Sequence, residues 1–190
     1  MKIWRHLCID MQCMFIEQTP WHVPWMSRTL DPIAEVAGRF PERTIFTRFI
    51  PPSRSDLMPG KWRDYYKKWE MMTTGRLPAD SMLLVAPLRR LVPPGRIFDK
   101  LTYSPWTDGH LHRILVRENV DTLVISGGET DVCVLAAVLG AIELGYGIII
   151  LKDAVCSGDD DGHEAALTLL ERRFSVQSNM MSVQEFLSAC

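Results

Sequence analysis

The chain has 190 residues, 47% of them hydrophobic, which suits one domain with a sizeable core, burying roughly 70% of the surface exposed by the unfolded chain. Its 21 basic and 23 acidic residues leave a formal net charge of -2, so no global charge draws it to nucleic acid or to an anionic membrane. Its apolar runs, such as Ile148 to Leu151, fall far short of the ~20 residues of a membrane-spanning helix.

Strand and helix signals alternate along the chain. Arg5 to Ile9 reads as a first strand ending at Asp10, and Arg28 to Phe40 as a helix with Leu30, Ile33, Ala34 and Ala37 at helical spacing. Thr44 to Arg48 is a short β-branched strand. An excursion punctuated by Pro51-Pro52 and Pro59-Gly60 holds a short helix from Lys61 to Trp69. Ile97 to Lys100 is the third strand, and Thr107 is placed to cap a helix running to about Arg117. Asp121 to Ile125 is the fourth strand, Asp131 to Leu144 a helix stopped by Gly145, and Tyr146 to Leu151 the fifth strand. Asp161 to Arg173 is a helix and Phe174 to Gln177 a sixth strand. Ser182-Val-Gln-Glu185 is a capping box that opens the last helix. Such alternation predicts α/β architecture: one domain over residues 1–190, with a mostly parallel sheet of about six strands flanked by helices on both faces. The N-terminal Met1-Lys-Ile-Trp-Arg-His6 has no signal-peptide core. Cysteines 8, 13, 133, 156 and 190 lack framework spacing. Both features suit a reducing cytoplasm.

The most informative stretch is Leu123-Val-Ile-Ser-Gly-Gly-Glu-Thr-Asp-Val-Cys133. A strand that stops in glycine and turns into a helix sets its turn residues at the carboxyl edge of a parallel sheet, where open α/β folds bind ligands. A thiol at the start of that helix meets unpaired N–H groups and the positive end of the helix dipole, which favours thiolate. Asp10 and Lys100 each close a strand signal, so both are expected at the same edge. His110 and His163 read as surface or helix residues, and five scattered histidines make no metal cluster.

The segment Gly127-Gly-Glu-Thr-Asp-Val-Cys-Val134 resembles the G-x-x-T-D-x-C-V nucleophile motif of the isochorismatase-like cysteine hydrolase superfamily. Leu7-Cys-Ile-Asp-Met-Gln-Cys-Met-Phe15 resembles its strand-then-D-M-Q-x-x-F opening, and Ile97 to Trp106 its K-x-x-x-S-x-F segment. The likeness is weak from about Thr19 to Ala79. The resemblance implies a three-layer Rossmann-like fold and an Asp10–Lys100–Cys133 triad. It also implies a cis peptide at Gly128–Glu129 that turns the N–H groups of Glu129 and Cys133 toward an oxyanion. In the nicotinamidase branch a D-x-H-P pattern binds metal. Here Phe49 and Pro51 stand at those ligand positions, and neither can coordinate a metal. No metal and no cofactor are therefore expected.

In the chemistry this implies, Cys133 attacks, Asp10 carries the proton, and Lys100 holds Asp10 ionised while favouring the thiolate. Lys100 acts locally, so its replacement is expected to leave folding nearly unchanged. Arg48, ending the second strand, is a candidate clamp for a substrate carboxylate. Phe15, Trp106 and Thr130, within or beside the three motifs, are further candidates for substrate contact. The aromatic segments Trp21 to Trp25 and Trp62 to Trp69 are read either as packing or a subunit interface, or as a pocket wall. The expected partner is a small molecule, with no nucleic acid and no membrane, and the protein is expected to be a homo-oligomer, dimer or tetramer. Three functions remain open on these residues: a thiol amidohydrolase acting on a small amide, ureide or carbamoyl compound; an isochorismatase-type vinyl-ether hydrolase in which the cysteine is dispensable; and a non-catalytic ligand-binding member of the fold.

Overall fold

Six parallel strands form one sheet in the order β3-β2-β1-β4-β5-β6. They are β1 (Trp4–Ile9), β2 (Thr44–Phe49), β3 (Arg96–Lys100), β4 (Thr122–Gly128), β5 (Gly147–Cys156) and β6 (Ser178–Met181). This computed structural model describes residues 3–190. Met1 and Lys2, part of the N-terminal stretch searched for a signal peptide, lie outside the described residues. The helices are α1 (Cys13–Ile16), α2 (Met26–Arg39), α3 (Gly60–Lys68), α4 (Ala86–Arg89), α5 (His110–Arg117), α6 (Leu135–Glu143), α7 (Asp160–Arg173) and α8 (Val183–Ala189).

Side chains alternate across each strand, and that alternation builds two cores. Cys8, Phe46, Val124 and Leu151 face Ile33, Val36 and Ala37 of α2 and Val183 and Phe186 of α8. Leu7, Ile45, Leu123, Ile125, Ile148 and Ile150 face Leu111 and Leu115 of α5, Ala137, Val138 and Ala141 of α6, and Leu170 of α7. The three-layer α/β fold anticipated from the alternating signals is the fold observed, with every strand pair parallel.

Several boundaries move, each for a local reason. The last strand is Ser178–Met181 rather than Phe174 to Gln177. The Phe174 carbonyl accepts from the N–H groups of Gln177 and Ser178, so those four residues finish the turn after α7. Pairing with Ile148 to Leu151 selects the following segment, as sheet context overrides strand propensity. Thr107 does not cap α5: the cap position is Gly109 at φ 65°, and the Thr107 hydroxyl pairs with that of Thr102 at 2.9 Å. The capping box of Ser182 and Glu185 is present.

The chain order places its reversal between β1 and β4, the crevice where a doubly wound sheet receives ligands. Gly127 makes this approach close. It sits at φ 104°, and a Cβ there would collide with the backbone of Ile9 on β1. Deeper in the sheet, His6 of β1 is fully buried and pairs with Ser126 Oγ of β4 at 2.7 Å and with Thr44 Oγ1 of β2 at 3.2 Å. Burial penalises its imidazolium and lowers its pKa from 6.5 to about 3.

A depressed pKa means that the unfolded chain takes up this proton first as the pH falls. The stabilisation is complete above 6.5 and is lost as the pH descends toward about 3. Denaturant titrations should show His6 contributing a slope of about 1.4 kcal/mol per pH unit within that window. In a His6→Asn protein, less stable at neutral pH, the dependence should be shallower by that amount.

Candidate active site

Three strand ends bring the expected residues together. Asp10 directly follows β1, Lys100 is the last residue of β3, and Cys133 lies in the turn after β4. All three are buried, at 1%, 6% and 7% exposure respectively. Lys100 Nζ lies 2.6 Å from Asp10 Oδ2, 3.2 Å from the Thr102 carbonyl and 3.6 Å from Cys133 Sγ. An ammonium has three N–H donors, and these partners use all of them. The ammonium also sits 5.0 Å from the centroid of the Phe49 ring, within cation–π range.

Asp10 is held by a residue that carried no sequence signal. Thr47 Oγ1 donates to Asp10 Oδ1 at 2.6 Å and accepts from the Asp10 N–H at 3.1 Å. These bonds hold Asp10 at φ 50°, a left-handed conformation in which a non-glycine residue is found chiefly where its surroundings enforce it. Gln12, part of the D-M-Q motif but given no role from it, is fully buried and clasps the end of β2. Its Oε1 accepts from the Phe49 N–H at 2.6 Å, and its Nε2 donates to the Phe49 and Met82 carbonyls.

The nucleophile turn is π-helical over Thr130–Val134 before α6 begins at Leu135, where an unbroken helix was anticipated. The peptide Gly128–Glu129 is cis. Thr130 Oγ1 pairs with His163 Nδ1 at 2.8 Å, and Asp131 Oδ1 accepts from Ser157 Oγ at 2.5 Å. Both side chains therefore anchor the turn from behind. His163 is in a helix as expected, but it is buried rather than at the surface.

The electrostatics revise the expected thiolate. Burial pushes the Cys133 thiol well above its ordinary value, Lys100 opposes that rise, and Asp10 adds to it. Lys100 moves the other way: burial disfavours its charge, but Asp10 and then Cys133 outweigh burial and raise its pKa. Cys8 and Cys156, fully buried, are pushed up mainly by burial to about 12 and about 11.

A cavity of about 380 Å³ opens onto Cys133, walled by Phe15, Trp21, Phe49, Tyr65, Trp69 and Tyr103. Aromatic residues from both segments singled out in the sequence thus form a pocket wall. Trp25 lies at the surface, and Trp62 lines a second hollow that reaches Lys100 without reaching Cys133. Of the suggested substrate contacts, Phe15 lines the cavity together with Glu129. Arg48 does not line it. Strand alternation puts Thr47 and Phe49 on the site face and turns Arg48 away, into a bidentate pair with Asp99 at 2.7 and 2.8 Å. Trp106 packs over Gly140 and donates to the Ala137 carbonyl at 2.8 Å, and Thr130 is engaged by His163. The Trp21 indole N–H is buried without a partner, an exception among buried donors. The donor set does not suit a metal: at the two candidate ligand positions Phe49 offers only its ring and Pro51 no ligand atom, and among the described residues no three His, Cys, Asp or Glu side chains converge.

The family model of the isochorismatase domain matches residues 6–182. The chain belongs to the isochorismatase family. It is 29% identical over 112 residues to the uncharacterized isochorismatase family protein YaaI of Bacillus subtilis (strain 168), a match that spans 59% of this chain and 60% of that protein. Its fold matches the cysteine hydrolase from Pseudomonas syringae pv. phaseolicola 1448A with a TM-score of 0.84 at 22% identity, covering 97% of this chain and 91% of that one. It matches the N-carbamoylsarcosine amidase from Thermoplasma acidophilum with a TM-score of 0.76 at 19% identity, covering 96% and 97%. At these identities the two structures show a shared fold.

The burial of Lys100 overturns the expectation that folding would not need it. Replacing it with methionine leaves the Asp10 carboxylate in a dry site without its counter-charge, a change that costs about 3–5 kcal/mol. Urea denaturation at neutral pH should show Lys100→Met destabilised by that amount.

Proposed function

We propose that this isochorismatase family member is a cysteine hydrolase that cleaves the C–N bond of a small amide, ureide or carbamoyl compound. The observation that carries this reading is one ammonium bonded to both a buried carboxylate and a buried sulfur at the mouth of an aromatic cavity. Binding alone has no use for that arrangement. The fold shared with an N-carbamoylsarcosine amidase supports a C–N bond as the target.

Catalysis starts from the neutral thiol. As Cys133 Sγ attacks the substrate carbonyl carbon, its proton passes to Asp10, and Lys100 stabilises the charge that develops on sulfur. The carbonyl oxygen becomes an oxyanion facing the backbone N–H groups of Glu129 and Cys133. A single such donor is worth about 2.7–4 kcal/mol. Collapse of the tetrahedral adduct breaks the C–N bond, and Asp10 returns the proton to the leaving nitrogen. Water, deprotonated by Asp10, then hydrolyses the thioester and regenerates the thiol. The net reaction is amide plus water to acid plus amine or ammonia. Lys100 remains protonated throughout, as its raised pKa favours, and Thr47 keeps Asp10 aimed for each of these proton transfers.

A panel of small amides and ureides assayed for ammonia release tests this. Wild type should turn over at least one of them, and Cys133→Ala should lose activity by orders of magnitude. Undiminished ammonia release by Cys133→Ala would overturn the thioester scheme, whereas no release from any amide by wild type, with turnover of a vinyl ether that survives Cys133→Ala, would point instead to vinyl-ether hydrolysis, in which the proton chemistry of Asp10 suffices. No step needs a metal, so prolonged EDTA treatment should leave turnover unchanged. Stoichiometric zinc, iron or manganese in the purified protein, with activity lost on its removal, would contradict the scheme.

A further inference from the structure

The charge pattern of the cavity goes beyond what amide hydrolysis requires. Glu129, Asp159 and His22 border the cavity, the His22 ring being paired with the Glu17 carbonyl and with Gln18, and no lysine or arginine is among the lining residues. The nearest ammonium, on Lys100, is fully used by Asp10, Thr102 and Cys133. Arg48, the guanidinium that the sequence offered as a carboxylate clamp, is committed to Asp99 on the other face of β2. An anionic substrate would therefore meet two carboxylates and no lysine or arginine free to pair with it.

The side chain of Glu129 is placed to do more than solvate itself. Its Oε1 accepts from the Gly158 N–H at 3.3 Å, and its other oxygen has no partner among the described residues. Burial is the main cause of its raised pKa, with the charges of Asp131 and Asp10 adding to it. A carboxylate in that position gains when a positive group arrives beside it. The surrounding rings suit the same visitor. Trp21 meets Phe49 at 61° and Trp69 at 67°, and Tyr65 meets Tyr103 at 87°. With Phe15 stacked on Trp21 at 16° and Phe49 on Tyr103 at 17°, these rings form an aromatic box along the cavity wall. Boxes of this kind hold substituted ammonium groups by cation–π attraction.

We propose that the substrate is an amide bearing a quaternary or substituted ammonium group, held between the aromatic box and the Glu129 carboxylate while its carbonyl meets Cys133. This assignment rests on the hydrolytic reading for the amide, and on the cavity alone for the cation.

Two measurements separate those parts. In Cys133→Ala protein, choline and its uncharged isostere 3,3-dimethylbutan-1-ol are titrated by calorimetry, with tryptophan fluorescence as a second readout. Choline should bind about tenfold more tightly, and adding Glu129→Gln should remove most of that preference. In wild type, ammonia release is compared for trimethylammonioacetamide, 3,3-dimethylbutanamide and succinamate. The cationic amide should have the highest kcat/KM and the anionic one the lowest. Equal binding of choline and the alcohol overturns the cation assignment even where amides are hydrolysed, and this comparison does not depend on Glu129→Gln folding. A preference that survives in folded Glu129→Gln overturns the role of that carboxylate. A choline preference without turnover of any amide upholds the cation site and counts against the hydrolytic reading.

Discussion

The ion pair between Asp10 and Lys100 is the constraint around which the rest of the site is arranged. Withdrawing two charges from water costs several kcal/mol per ion, and their mutual attraction offsets that only with close geometry and further hydrogen bonds. Both conditions are met: the pair is 2.6 Å apart, Thr47 holds the free carboxylate oxygen, and the Thr102 carbonyl takes another ammonium proton. The strand order explains how the pair can form. Asp10 ends the third strand of the sheet and Lys100 the first, with β2 between them supplying Thr47 and Phe49. The carboxyl edge thus gathers these side chains from three adjacent strands.

In the proposed mechanism this edge primes a buried cysteine through the ammonium beside it. Burial raises the thiol's pKa and so disfavours the thiolate before substrate arrives. The ammonium 3.6 Å away is already oriented toward the charge that appears only when sulfur reacts. Preorganisation of this kind favours the transition state over the resting state, which is the condition for catalysis rather than tight binding. The aromatic wall serves the same end by keeping water from screening the charges. The anchors behind the turn, His163 on Thr130 and Ser157 on Asp131, hold the sulfur where the ammonium can reach it.

Much of this was legible in the residues themselves. The alternation of apolar runs with amphipathic segments specified the class of fold, because a strand buried on both faces and a helix buried on one need different periodicities. Strand runs ending in Asp10, Lys100 and the Gly127-Gly128 turn determined that an acid, a base and a thiol would share one edge. In a parallel sheet every strand delivers its last residue to the same side.

Everything that depends on which way a side chain turns was settled by tertiary structure. Arg48 and Thr47 are neighbours in one strand, yet only Thr47 meets Asp10, because alternation sends Arg48 to Asp99. Trp106 and Trp21 are both tryptophans beside recognisable motifs, but Trp106 is taken up by α6 while Trp21 reaches the cavity from a distant loop. The direction of the Cys133 shift likewise could not be read from its place at a helix start, since burial outweighs Lys100. By itself the sequence determined the fold class and the meeting of Asp10, Lys100 and Cys133 at one edge, because these follow from local periodicity and strand direction. Tertiary structure decided the partners, the burial that raises the thiol's pKa and the charge of the cavity, because these depend on which distant residues share one volume.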